Sequence, residues 1–345
     1  MRKNPEVETL LTRWLERAVP LPILDDASVA LARERVREVG ARQGLPATAV
    51  ERLALAASEL GKNQLRHAGG GVVALSPVER DGVRGLELVA ADRGRGLREP
   101  GEAMSDRRAS GGESLGIGFS SVFRNCDEVD VDSRELEGLC VRARVFAGPV
   151  PRSRQVAVLG RPIAGERVSG DDAAVRHVEG GLLLLLADGL GHGPEARQAA
   201  VPLCEALLGG PPPSDPAVFL VTAAAALQRT RGTVACLARL DSRTGELLVA
   251  SVGNVSCQVL RPDRWDSLPA QPGVLGRPGP APRLHLQRAT VGPHDVLLLM
   301  TDGVSTRGEV GRERALRLEP PLVIADMVMR HQGKKHDDAT VIVAK

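Results

Sequence analysis

The chain has 345 residues, is 43% hydrophobic and 26% charged, and carries a formal net charge of +2. That length exceeds one ordinary domain and predicts two compact domains, while the near balance of charge excludes the strong positive field of a nucleic-acid-binding protein. No apolar run approaches the roughly 20 residues of a spanning helix, and Met-Arg-Lys-Asn-Pro lacks the apolar continuation of a signal peptide, so a cytoplasmic protein with no membrane or nucleic-acid partner is expected.

Residues 7–18 have apolar positions at helical spacing and belong to an N-terminal extension, 1–19, of unassigned role. An apolar piece at 21–24 precedes Asp25-Asp26-Ala27-Ser28, which caps a helix running to about residue 43. Pro46 opens a second helix to about residue 67, on which Glu59 and Asn63, four residues apart, share a face. After glycines at 69–71, strand-like segments at 72–75 and 86–91 are joined across Arg80-Asp81-Gly82, a hairpin signal. The second strand runs into Asp92-Arg93-Gly94-Arg95-Gly96. The polar, Gly- and Arg-rich stretch 98–112 supplies little core and is expected to form a mobile loop or lid. Gly116 and Gly118 precede a helix through residue 123, whose free N–H groups suit anionic oxygens. Strands at 128–133 and 139–146 follow, and Gly148-Pro149-Val150-Pro151 marks a linker, 148–154.

In that order these elements resemble the nucleotide-binding fold of the histidine-kinase-like (GHKL) ATPases over residues 20–147. Within that superfamily they are most similar to the small serine kinases of bacterial partner switching, the anti-sigma-factor and RsbT-like type. Ala56-Ala57-Ser58-Glu59-Leu60-Gly61-Lys62-Asn63, then His67-Ala68-Gly69, and later Arg124-Asn125-Cys126-Asp127-Glu128 carry the likeness. The resemblance implies that Asn63 holds Mg²⁺ against the triphosphate of ATP and that Glu59 is the general base for a substrate serine. It further implies that Asp92 accepts the adenine amino group, and that Gly94 and Gly96 let the backbone approach the base, with Gly116 and Gly118 near the phosphates. Phosphoryl transfer needs such positioning and charge stabilisation more than covalent help. Arg93 and Arg95 depart from the pattern by adding two cations to the adenine loop.

From residue 155 the pattern changes to strands separated by turns, with helices between. Strand-like segments at 162–168 and 173–177 flank Ser169-Gly170-Asp171-Asp172. Residues 182–193 read Leu-Leu-Leu-Leu-Leu-Ala-Asp-Gly-Leu-Gly-His-Gly; the unbroken apolar run without helical period predicts a strand buried on both faces. It stops at Asp188, whose carboxylate is expensive to desolvate unless it is paired or binds a cation. Helices are expected at 194–208 and 216–229, strands at 233–241, 247–252, 255–260, 283–290 and 296–301, a helix at 321–331 and a last strand at 339–344. Asp188 and Asp302 end apolar strands, and Asp171 and Asp337 flank others. Carboxylates gathered at strand edges suggest one oxygen-lined site for one or two Mg²⁺ or Mn²⁺ ions. His192 has no Cys or second His at zinc-ligand spacing. Cys126, Cys140, Cys204, Cys236 and Cys257 are odd in number and widely spaced, as expected of reduced core thiols.

Gly170-Asp171, Ala187-Asp188-Gly189-Leu190-Gly191-His192-Gly193, Arg231-Gly232-Thr233, Val252-Gly253-Asn254-Val255, Thr301-Asp302-Gly303 and Asp337-Asp338-Ala339-Thr340 resemble, in that order, the SpoIIE and RsbX-like branch of the protein phosphatase 2C (PPM) superfamily, across residues 155–345. The resemblance implies two packed antiparallel sheets with helices outside and a two-metal cleft. Asp188 with the Gly189 carbonyl bridges the metals, and Asp171, Asp302 and Asp337 complete the set; whether Asp337 or Asp338 ligates stays open. The expected fold class is α+β, a GHKL α/β sandwich followed by a PPM-type αββα sandwich. The implied function is a bifunctional regulator that phosphorylates with ATP and dephosphorylates partner-switching proteins, such as a STAS-domain anti-sigma antagonist or related phosphoprotein, with a sigma factor as a further partner. In the competing reading the first domain is a non-catalytic nucleotide- or partner-binding module.

Overall fold

The computed structural model describes residues 20–97, 100–104, 117–150, 154–227, 229–278, 282–306 and 317–345. The helical pattern at 7–18, Gly116 and most of the expected 98–112 loop lie outside the described residues. The chain divides into two units, Met1–Gln155 and Val156–Lys345.

In the first unit, β1 (Leu21–Ile23) leads to α1 (Asp26–Arg42), α2 (Ala47–Ala68), β2 (Gly71–Arg80), β3 (Val83–Asp92), α3 (Pro100–Met104), α4 (Ile117–Asn125), β4 (Glu128–Arg134) and β5 (Gly138–Phe146). The strands pair antiparallel in the order β1-β2-β3-β5-β4. Helix α1 starts where its sequence allows. The Asp25 carboxylate accepts from Ser28 N at 2.8 Å and the Ser28 hydroxyl accepts from Asp25 N at 3.0 Å, a reciprocal cap. Helix α2 buries Leu53, Ala57, Leu60 and Gln64, packs on α1, α4, β3 and β5, and ends at Gly69 with φ 71°. The β2–β3 hairpin is longer than its apolar signal because its outer half is solvent-facing; Asp81 and Gly82 turn it with φ of 46° and 78°.

One face of β4 and β5 turns Val129, Val131, Val141, Ala143 and Val145 into the core. The alternate positions carry charge, and Arg144 bridges Glu87, Glu128 and Asp130 while Arg134 pairs with Asp132. All of these groups except the half-buried Glu87 are buried, so each ion must be matched by another.

In the second unit, β6 (Val156–Arg161), β7 (Asp171–Val178), β8 (Gly181–Gly189), α5 (Gly193–Gly209), α6 (Pro216–Ala223), β9 (Thr233–Asp241), β10 (Glu246–Val252), β11 (Ser256–Leu260), β12 (Trp265–Leu268), β13 (Gln287–Thr290), β14 (Val296–Met300), α7 (Pro321–Gln332) and β15 (Ala339–Ala344) follow in turn. Two antiparallel layers result, β6-β15-β14-β11-β12 and β13-β10-β9-β8-β7. The leucine run explains the layering. Leu182, Leu184 and Leu186 face the core between the sheets with Cys236, Leu297, Leu299 and Ile342. Leu183, Leu185 and Ala187 face Ala200, Leu203, Leu207 and Leu220 of α5 and α6. Burying one such leucine contributes about 2 kcal/mol. Helix α7 covers β15 and β6 on the far side, completing an αββα sandwich. Both faces of β8 are covered in an antiparallel sheet, so the unbroken apolar run needs no parallel neighbours.

Three expected elements differ. Residues 162–168 form no strand, because the Asp338 carboxylate accepts from Ile163 N and Gly170 N, both at 2.7 Å, and draws the segment into a loop. The strand before Asp171 is instead β6. The expected helix 216–229 is α6 plus a 3₁₀ turn, Ala224–Leu227, with Arg229 at φ 77°. Only Gln287–Thr290 of 283–290 is strand, and β12 had no distinct signal within its Pro-rich surroundings.

Candidate functional site

In the first unit, α2 sets the half-buried Glu59 and Asn63 one turn apart beside its buried stripe. A Cβ built on Gly118 would lie 2.3 Å from Glu59 Oε2, so the Glu59 carboxylate rests against the first turn of α4. Asp92 ends β3, where its Oδ1 accepts from Gly94 N at 2.8 Å. Burial pushes the Asp92 carboxyl up to about 6, against the opposing effect of the Gly94 and Leu139 N–H groups. Gly96 has φ 70° and lies so near the Arg134 carbonyl that a Cβ would come within 2.7 Å of that oxygen. Arg93 and Arg95 are exposed.

Gln64 was not singled out from sequence. Its Nε2 donates to Val72 O and Ala91 O, both at 3.0 Å, tying α2 to the strands that carry Asp92, while its Oε1 is buried without a partner. A polar residue on the apolar stripe Ala57, Leu60, Gly61, Gln64 was the available signal.

In the second unit, Asp171 begins β7 directly opposite Asp188 at the end of β8. Asp302 follows β14, Asp337 precedes β15, and those strands are paired neighbours. Gly189 and Gly303 make the approach possible. A Cβ on Gly189 would lie 1.8 Å from Ala196 O, and one on Gly303 would lie 1.8 Å from Asp338 O. Thr301 donates to Asp171 Oδ2 at 2.9 Å, Thr233 donates to the Asp188 carbonyl at 2.7 Å, and Asn254 donates to Asp302 Oδ2. Lys334 Nζ donates to the Asp302 carbonyl. The Asp338 carboxylate accepts from Ile163 N and Gly170 N, and both it and Asp337 lie close enough to act on Asp188.

Burial, followed by Asp171, Asp302, Asp337 and Asp338, holds the Asp188 carboxyl far above the usual range. Asp171 is raised by burial and by Asp338 and Asp302, against the hydroxyls of Thr340 and Thr301. Asp302 is raised by burial and by Asp337, with Lys334 and Asn254 opposing. Carboxylates this crowded ionise together only when a cation shares the site, and an all-oxygen set suits a hard divalent ion. Among the described residues no group of three or more such side chains forms a ready cage.

Residues 24–145 match the histidine kinase-like ATPase domain, and residues 178–345 match stage II sporulation protein E (SpoIIE). The serine/threonine-protein kinase RsbT of Bacillus subtilis (strain 168) is 31% identical over 121 residues, which is 35% of this chain and 90% of RsbT. A solved structure described as "The bacterial stressosome: a modular system that has been adapted to control secondary messenger signaling" shares 29% identity with a TM-score of 0.51, over 56% of this chain and 100% of that one. RsbX in complex with magnesium shares 20% identity with a TM-score of 0.49, over 56% of this chain and 95% of RsbX. The fold is that of a two-domain chain, in which an α/β unit matching the ATPase domain precedes an αββα sandwich. The chain belongs to the histidine kinase-like ATPase family as a homologue of the RsbT kinase, and its second unit matches the SpoIIE family over residues 178–345. Among the described residues no helix is long and apolar enough to cross a membrane.

Proposed function

We propose that the second unit hydrolyses phosphoserine on a partner-switching protein, and that the first unit transfers the γ-phosphoryl group of ATP to a serine of the same class of protein. The observation that carries the hydrolase reading is the meeting of Asp171 with Asp188 across one ladder, with Asp302 and Asp337 brought in by the neighbouring sheet. Asp171, Asp188, Asp302, Asp337 and the Gly189 carbonyl would hold two Mg²⁺ or Mn²⁺ ions, which supply an acidified water and charge for the phosphoryl oxygens. Thr301, Asn254 and Thr233 orient these donors, and Asp338 fastens the loop that leads into Asp171. In the first unit, Glu59 would accept the serine proton, Asn63 would hold Mg²⁺ against the triphosphate, and Asp92 would receive the adenine amino group.

The proposed substrate is a STAS-domain anti-sigma antagonist; the RsbT homology supports a protein serine or threonine as the phosphoryl acceptor. The test is a time course of the full chain with labelled ATP and a STAS-domain protein. Asp188→Ala should accumulate more phosphoserine than the wild type, and Asn63→Ala none. No label from any variant favours a non-catalytic first unit, and full hydrolysis in EDTA rules out the metal site.

A further inference from the structure

The turn after Asp188 is flanked by two side-chain pairs, Arg231 with Glu195 and His192 Nδ1 with Glu166 Oε1 at 3.1 Å. We infer that Arg231 grips the phosphoryl oxygens of the substrate and that Glu195 holds its place until substrate arrives. This rests on the phosphatase reading of the same site.

Arg231 reaches the site because its loop is joined to the turn. Leu190 N donates to Gly232 O at 3.0 Å, Thr233 donates to the Asp188 carbonyl at 2.7 Å, and Asp188 and Gly189 stand opposite Val234 and Thr233 in the ladder. The guanidinium lies over Gly191, which has φ 96°, and a Cβ there would come within 2.8 Å of Arg231 Nη1. A side chain at 191 would therefore both strain the backbone and push the guanidinium away.

The chemistry favours this residue. A phosphate monoester approaching a carboxylate cluster needs donors that the cluster itself lacks, and a planar guanidinium presents paired N–H groups that match phosphoryl oxygens. Among the described residues, Lys334 is engaged with Asp302 O, and Arg197 with Asp171 O at 2.7 Å and with the Asp172 carboxylate. Arg231 instead bonds an exposed carboxylate, with the two side chains 50% and 69% accessible. Such a pair is screened and weakly held, so a phosphoryl group of higher charge can displace Glu195.

The test uses the full chain with Mn²⁺ and the variants Arg231→Ala, Arg231→Lys and Glu195→Gln. Inorganic phosphate affinity is read by titration calorimetry, beside KM, kcat and half-saturating Mn²⁺ on a phosphoserine peptide. Arg231→Ala should weaken phosphate binding and raise KM by about 10-fold or more, the scale of a lost charge-assisted hydrogen bond, with Mn²⁺ dependence unchanged. Arg231→Lys should recover part of the loss, and Glu195→Gln should bind phosphate more tightly than the wild type. Unchanged phosphate affinity in Arg231→Ala, beside a wild type that binds and hydrolyses, overturns the role of Arg231 and leaves the phosphatase reading standing. A wild type that with Mn²⁺ neither binds phosphate nor hydrolyses the peptide overturns both.

Discussion

The Thr301 hydroxyl donates to Asp171 Oδ2 at 2.9 Å and accepts from Thr340 N at 2.9 Å, so one buried hydroxyl fixes the carboxylate to the backbone of the neighbouring strand. Thr301→Val keeps the shape and removes both bonds. Groups that orient metal ligands typically control about 10- to 100-fold in metal affinity, so half-saturating Mn²⁺ should rise by that range while saturated turnover falls less. Unaltered Mn²⁺ dependence in a folded Thr301→Val would show that the hydroxyl serves packing alone.

The crowded carboxylates give metal-free protein a definite pH response. Asp188 and Asp171 have folded values raised above those of an unfolded chain, so the folded state binds more protons and stability falls as pH rises from about 4 toward the raised values. In chelator, the melting temperature of the second unit should drop between pH 5 and about 8. Mg²⁺ or Mn²⁺ should restore it, and Asp188→Asn should flatten the slope in chelator while abolishing hydrolysis. A melting temperature that climbs with pH in chelator contradicts the sign.

Gly118→Ala separates stability from catalysis in the first unit. Alanine favours a helix over glycine by up to about 1 kcal/mol, and the atom it would meet, Glu59 Oε2 at 2.3 Å, ends a flexible side chain that can swing aside. Melting should therefore be unchanged or slightly higher, while transfer to a serine substrate falls at least about 10-fold because the proposed base is moved. Normal transfer by a folded Gly118→Ala would dissociate Glu59 from the chemistry.

Asp92 predicts a pH limit on nucleotide binding. Burial raises its carboxyl to about 6, and in its proposed role it must be ionised to accept from the adenine amino group, so ATP affinity should fall about 10-fold per unit below that value. Asp92→Asn should bind ATP weakly at every pH and lose the dependence. Isothermal titration between pH 5 and 8 checks both statements.

Much of the architecture was written along the chain. The apolar run at 182–187 and its stop at Asp188 follow from periodicity alone, and the strands Thr233–Asp241 and Ala339–Ala344 match their expected bounds residue for residue. The helix that bears Glu59 and Asn63 follows from Pro46, an apolar stripe and a glycine stop at 69. These are local signals, set by backbone propensity and by which face of an element meets water.

What local signals could not decide was which side chain answers which partner. Asp337 and Asp338 are equivalent as sequence, and only the tertiary structure hands Asp338 to Ile163 N, 175 residues away, and turns an expected strand at 162–168 into a loop. Thr301 meets Asp171 across 130 residues, Gln64 joins two strand carbonyls, and Arg231 settles over Gly191. Hydrogen bonds and ion pairs of this kind leave no periodicity in the sequence, because their geometry exists only after the sheets have packed.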